Sequence, residues 1–190
     1  MSVVAAVRRH GAITIAADTL ALFGEGMTIS EENARASKLT RVGDAVIGGT
    51  GWAVYDDILE HYLQESGIPT LRDRQSIYAF FLGFWRALRE TYTLVNEQAV
   101  SKDTPFGDLD ATFLIASPGG LYKVSSDLGV TEFQRFHAIG SGAEYALGAM
   151  HVLIDEERDD QALVSRACAA AIATDASCGG SIDVFQVPCG

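Results

Sequence analysis

The stretch MSVVAAVRRHGAITIAAD, residues 1–18, contains two strand-like runs, SVVAAVR (2–8) and AITIAAD (12–18), joined by RHG. Both are rich in Val, Ile and Ala and bounded by turn residues, so they predict two strands of a hairpin. The first begins on a serine directly behind the initiator methionine. A small second residue permits methionine removal, which would leave Ser2 with a hydroxyl and a free α-amine side by side. Nucleophile and base would then belong to one residue. The second run ends on Asp18, a carboxylate at the close of an apolar strand, where burial is costly without a partner.

Downstream, TLALFGEGMTISEENARAS (19–37) shows no period and reads as irregular. KLTRVGDAVIGGTG (38–51) predicts two short strands around a Gly43–Asp44 turn, ending in a glycine-rich corner. Two helices follow. In WAVYDDILEHYLQESG (52–67) apolar residues fall at 54, 55, 58, 59, 62 and 63, one helical face. In LRDRQSIYAFFLGFWRALRETYTLV (71–95) they recur at 77, 80, 81, 84, 85, 88, 92 and 95, a face suited to a layered core or a subunit interface. Strands return over 110–142, with SPGG (117–120) as a hairpin signal. Helices are predicted over 143–157 and 160–176, and SIDVFQV (181–187) is a last strand. Runs of strands interrupted by helix pairs predict an α+β fold, two antiparallel sheets between two helical layers.

Composition narrows function. The chain has 190 residues, 48% apolar, with four prolines, which suits one globular domain over 1–190. With 14 basic and 25 acidic residues, the net charge of −11 disfavours nucleic acid, itself a polyanion. No apolar run is long enough to span a membrane. Two arginines follow the first apolar run, the reverse of a secretory signal, so the expected location is cytoplasmic. Cys168, Cys178 and Cys189 lack metal-ligand spacing and are odd in number, so neither a zinc site nor a disulfide framework is expected. No phosphate-binding loop, HExxH or GxSxG is present, and no cofactor is called for. The four histidines, at 10, 61, 137 and 151, are scattered and read as structural.

Lys38 opens its strand after a loop free of other lysines; the alternative is an ordinary solvated lysine. Asp175 sits near the C-terminal end of the last helix, where the dipole disfavours a carboxylate. SGAE (141–144) has the form of a capping box, with Ser141 as N-cap, and also puts a hydroxyl at a helix mouth. A lysine near a terminal amine would lower its pKa and favour alkoxide character on the hydroxyl. Asp18 would hold that lysine, and the IGGTG corner would direct N–H groups toward an oxyanion.

SVVAAVRRHGAITIAADT, KLTRVGDAVIGGTG, AIGSGAEYA and ATDASCGGSIDVFQV occur in this order along nearly the whole chain. In them the chain resembles the proteasome β-subunit family of N-terminal-nucleophile peptidases, in the bacterial branch of the heat-shock-locus V peptidase and bacterial proteasome homologues. The resemblance implies a four-layer αββα sandwich, stacked homo-oligomeric rings around a proteolytic chamber, polypeptide substrates and, in some branches, an ATP-dependent unfoldase. It puts Ser2 in the place of the nucleophile, usually threonine. Asp18 and Lys38 take the places of the active-site aspartate and lysine, and Gly48, with Gly49 as rival, that of the oxyanion donor. Ser141 and Asp175 match the pair that holds the terminal amine. Cys178 stands where many members carry a serine, and Leu22 where a threonine is common. Two other readings stay open: a catalytically silent ring subunit, and a small-molecule amidase of the same fold.

Overall fold

A computed structural model describes residues 2–23, 26–28, 37–92 and 109–190. The two opening runs form β1 (Val4–Arg9) and β2 (Ala12–Asp18), paired antiparallel from Val4 opposite Ala17 to Arg9 opposite Ala12. His10 and Gly11 make the turn in left-handed backbone, φ 55° and 72°. Both strands are apolar on both faces, the pattern of strands covered on both sides.

The stretch predicted to be irregular contains two short paired strands, β3 (Ala21–Phe23) and β4 (Gly26–Thr28). Three residues are too few to show a period. Residues 24, 25 and 29–36 of that stretch, and the side chain of Leu22, lie outside the description. Next come β5 (Leu39–Val42) and β6 (Ala45–Gly51), joined at Gly43–Asp44, then α1 (Val54–Ser66) and α2 (Arg74–Glu90). Asp73 caps α2, accepting the Ser76 N–H at 2.8 Å. Residues 93–95 of the predicted second helix lie outside the description.

The SPGG signal is the turn between β7 (Ala111–Ser117) and β8 (Gly120–Val124). Then follow β9 (Val130–Phe133), β10 (Phe136–Ile139), α3 (Ala143–Leu153), α4 (Asp160–Thr174) and β11 (Ile182–Pro188). β9 and β10 are adjacent in sequence but belong to different sheets. β9 pairs with β8, and β10 with β1.

One sheet has the order β10-β1-β2-β11 and the other β5-β6-β7-β8-β9. Val4, Ala6, Ile13 and Ile15 of the first pack against Leu39, Val46, Leu114 and Leu121 of the second, forming the inter-sheet core. Val3, Ala5, Val7 and Ala16 face the other way, onto Met150 of α3 and Leu163, Ala167 and Ala171 of α4. Alternate residues of β1 therefore serve two cores. Beyond the second sheet, Phe81 and Phe84 of α2 meet Phe113 of β7 at ring-centroid distances of 4.9 and 6.3 Å. The architecture is an α+β sandwich with helices α1 and α2 outside one sheet and α3 and α4 outside the other.

Arg9 ties the β1–β2 turn to the α3–α4 connection. Its guanidinium pairs with Asp160 and donates to the carbonyl of Ile154 at 2.8 Å and to that of Glu157. The far end of β1 is thus fixed to the helical layer that Val3, Ala5 and Val7 also face.

Candidate active site

Ser2 precedes β1 and is 4% exposed. Close contacts hold its backbone. Its nitrogen donates to the Ser141 hydroxyl at 3.2 Å, and its carbonyl accepts the Gly142 N–H at 3.1 Å. Gly140, at φ 96°, lies so close that a Cβ there would sit 2.1 Å from the Ser2 carbonyl oxygen. Only glycine fits.

Asp18, at the end of β2, is fully buried and saturated. One carboxylate oxygen accepts the Val3 N–H at 2.9 Å and the Lys38 Nζ at 2.7 Å. The other accepts the Gly179 N–H at 3.0 Å. The expectation that a carboxylate at the end of an apolar strand needs a partner is met three times over. Lys38, with 12% of its side chain exposed, lines the same cleft as Ser2.

Ser141 is not the helix N-cap. That position belongs to Gly142, and no side chain caps α3. The sequence has the capping-box form, but the hydroxyl is used at long range instead, by the Ser2 nitrogen and by Asp175. Asp175 ends α4 as its C-cap and accepts the Ser177 N–H at 2.9 Å. The Ser141 hydroxyl, followed by the Ser177 N–H, holds its carboxyl below the usual carboxylate range. The Cys178 Sγ donates to Asp175 at 3.5 Å, and burial pushes this thiol up to about 11, with the charges of Asp18 and Asp175 adding to the effect. Cys178 is therefore a neutral thiol at physiological pH.

Gly48 is packed between the sheets, where a Cβ would lie 2.6 Å from Val4 Cγ1, and it does not line the cleft; Gly49 and Gly51 do. The Gly49 N–H donates to the Lys38 carbonyl at 3.2 Å. Successive N–H groups of an antiparallel strand point to opposite neighbours, so that of Gly48 is directed toward β7. The Gly51 N–H points to the same side as that of Gly49, but beyond the end of β5, whose first residue, Leu39, stands opposite Gly48. Gly51 thus lies beyond the last β5 pairing and lines the cleft. Consecutive glycines cannot be phased in this way until strand register is known.

None of the four histidines lines this cleft. His137 stacks on Phe133 at 3.8 Å, and burial lowers its pKa to about 4. His10 contacts Asp160 at 3.3 Å, and His61 the Tyr92 hydroxyl at 2.6 Å. Among the described residues no group of three His, Cys, Asp or Glu side chains could hold a metal ion, and no helix is long and apolar enough to cross a membrane.

Replacing one member of a buried ion pair costs about 3–5 kcal/mol, because the other charge is left uncompensated. An exposed pair contributes about 1 kcal/mol or less. Asp18→Asn is therefore expected to lower unfolding stability by about 3–5 kcal/mol. Loss of the exposed Arg72–Asp44 pair, 60% and 47% exposed, through Arg72→Ala should cost about 1 kcal/mol or less. Denaturant midpoints measure both, and equal shifts would contradict the description of Asp18 as a saturated, buried hub.

No family model matches the chain, and no curated protein is significantly similar to it. Solved structures are. Thiobacillus denitrificans BPH, a bacterial proteasome homologue, in complex with Epoxomicin is 31% identical over 98% of this chain and 98% of that one, with a TM-score of 0.89. The same BPH without the inhibitor gives 31%, 98%, 97% and 0.89. The eukaryotic HslV from Trypanosoma brucei shares the fold, at 21% identity over 98% and 99% of the two chains and a TM-score of 0.66. At such identity to BPH over nearly all of both chains, and with this four-layer architecture, the chain belongs to the proteasome β-subunit family, among its bacterial homologues.

Proposed function

We propose that this chain is a single peptidase domain, residues 1–190, that hydrolyses peptide bonds with Ser2 as an N-terminal nucleophile. Removal of Met1 turns the Ser2 nitrogen from an amide into an amine. The observation that carries the proposal is the grouping around Ser2: Ser2 and Lys38 line one cleft, Asp18 holds Lys38 from behind, and the Ser141 hydroxyl accepts from the Ser2 nitrogen. The binding of Epoxomicin by a homologue 31% identical to this chain supports a protease.

In the proposed reaction the Ser2 Oγ attacks the scissile carbonyl carbon while its proton passes to the α-amine, directly or through one water. The amine's reference pKa is about 8, and the neighbouring Lys38 ammonium lowers it toward neutrality. The same ammonium favours negative charge on Oγ. The Gly51 N–H takes the place first given to Gly48 and receives the oxyanion. Ser141 orients the amine and is itself held by Asp175, which stays ionised through the range in which the amine loses its proton. Collapse of the tetrahedral species breaks the C–N bond, and the ammonium returns its proton to the leaving amine. Water then hydrolyses the ester on Ser2. Every proton is supplied and recovered within the site, so the scheme needs no cofactor.

The proposal includes the family's setting: a cytoplasmic protein in stacked homo-oligomeric rings, polypeptide substrates inside the chamber, and an ATP-dependent unfoldase as feeding partner. The aromatic α2 is one candidate for subunit contact, although Phe80, Phe81 and Phe84 are already used in the core.

Ser2→Ala is expected to abolish hydrolysis of short peptide amides while leaving the assembly intact by size-exclusion chromatography and light scattering. Unchanged turnover would remove Ser2 from the mechanism. Iodoacetamide at pH 7.5 is expected to leave hydrolysis unaffected, because Cys178 is buried and its thiol is pushed up to about 11. Inactivation in step with alkylation of Cys178, followed by peptide mapping, would assign the nucleophile to the thiol instead.

A further inference from the structure

Trp52 follows Gly51 at the end of β6 and lines the same cleft as Ser2. The residue is 69% exposed. Isolated exposed apolar residues are common and need no explanation. Six large hydrophobic residues are exposed among those described: Trp52, Val54, Ile68, Tyr78, Tyr145 and Val152. Of these, Trp52 alone lines the cleft with Ser2. It is also held in place. Its Nε1–H donates to the Asp110 carboxylate at 2.8 Å. Asp110 itself adopts left-handed backbone, φ 49°, and its carbonyl oxygen would lie 2.8 Å from a Cβ on Gly51. The start of β7 thus packs against the same two-residue corner that carries the Gly51 N–H and the indole.

An ordered aromatic ring with its polar edge already bonded presents an apolar face at little further entropic cost. The ring belongs to none of the three hydrophobic cores. The occupant that fits is an apolar side chain of the polypeptide bound across Ser2, because the ring stands one residue from the proposed oxyanion donor. We infer that Trp52, pinned by Asp110, is a specificity-determining residue that selects substrates with an apolar side chain close to the scissile bond. The inference rests on the peptidase reading above.

Two measurements test it. The first is steady-state kinetics on paired peptide amides that differ only in one residue near the scissile bond, leucine against serine. The wild type should favour leucine by on the order of tenfold in kcat/KM, carried by KM. Trp52→Ala should reduce this preference to about twofold or less while kcat stays near the wild-type value. Trp52→Phe, which keeps a ring but loses the bond to Asp110, should lie between. The second uses Ser2→Ala, which binds without turnover. Titration with the leucine peptide should change tryptophan emission, and the change should vanish in the Ser2→Ala/Trp52→Ala double variant. Trp85, the other tryptophan, packs against the α1–α2 core and keeps a constant signal.

Equal leucine-to-serine ratios in wild type and Trp52→Ala, or an emission change that survives loss of Trp52, would overturn the inference. So would dissociation of the assembly on Trp52→Ala, which would make the indole a contact between copies of the chain. A wild type that binds the peptide through Trp52 but never cleaves it would sink the peptidase reading and leave the binding role standing.

Discussion

The structure around the cleft depends on one buried carboxylate. Asp18 receives the Lys38 ammonium, the Val3 N–H next to the proposed nucleophile, and the Gly179 N–H beyond α4. These donors come from the start of the chain, the approach to β5 and the approach to β11. A single charge therefore fixes the relative positions of three segments far apart in sequence. Burying a carboxylate is costly, and the cost is met only because three donors converge on it. The same arrangement holds Lys38 at the cleft. Gly140 and Gly142 complete the cradle, one by having no side chain to collide with the Ser2 carbonyl and the other by donating to it.

Much of the fold was legible because the signals were local. The apolar runs of β1 and β2, the helical faces of α1 and α2, and the SPGG turn follow from residue type and spacing. What could not be read was long-range or short. β10 pairs with β1 across more than a hundred residues, and no local pattern shows that it leaves β9 for the other sheet. β3 and β4 are too short to have a period. The site divides in the same way. Asp18 stood out as a carboxylate ending an apolar strand, and the structure brings it to Lys38. Of the two readings of Ser141, the local cap fails although SGAE satisfies its rule; the Ser2 nitrogen, with Asp175 behind it, takes the hydroxyl. Gly48 and its neighbours could not be told apart because the choice turns on where β5 stops, which composition does not carry. Trp52 was passed over as the first residue of a helix.

The departures from the family pattern have physical consequences of different size. Serine in place of threonine removes a methyl that restrains χ1, so the backbone contacts of Ser2 must supply more of the orientation. Cys178 gives Asp175 a long, weak sulfur donor where a hydroxyl would give a stronger one.

The central claim is that one residue supplies both the attacking oxygen and the proton-accepting nitrogen. A peptide epoxyketone tests this directly, because its two electrophilic carbons can be captured together only by a hydroxyl and an amine on the same residue. After incubation, intact mass and fragment mapping should show a chain lacking Met1 and carrying one inhibitor, bonded through both the oxygen and the nitrogen of Ser2. A chain that retains Met1 and carries no inhibitor, or an adduct on any other residue, would contradict the account.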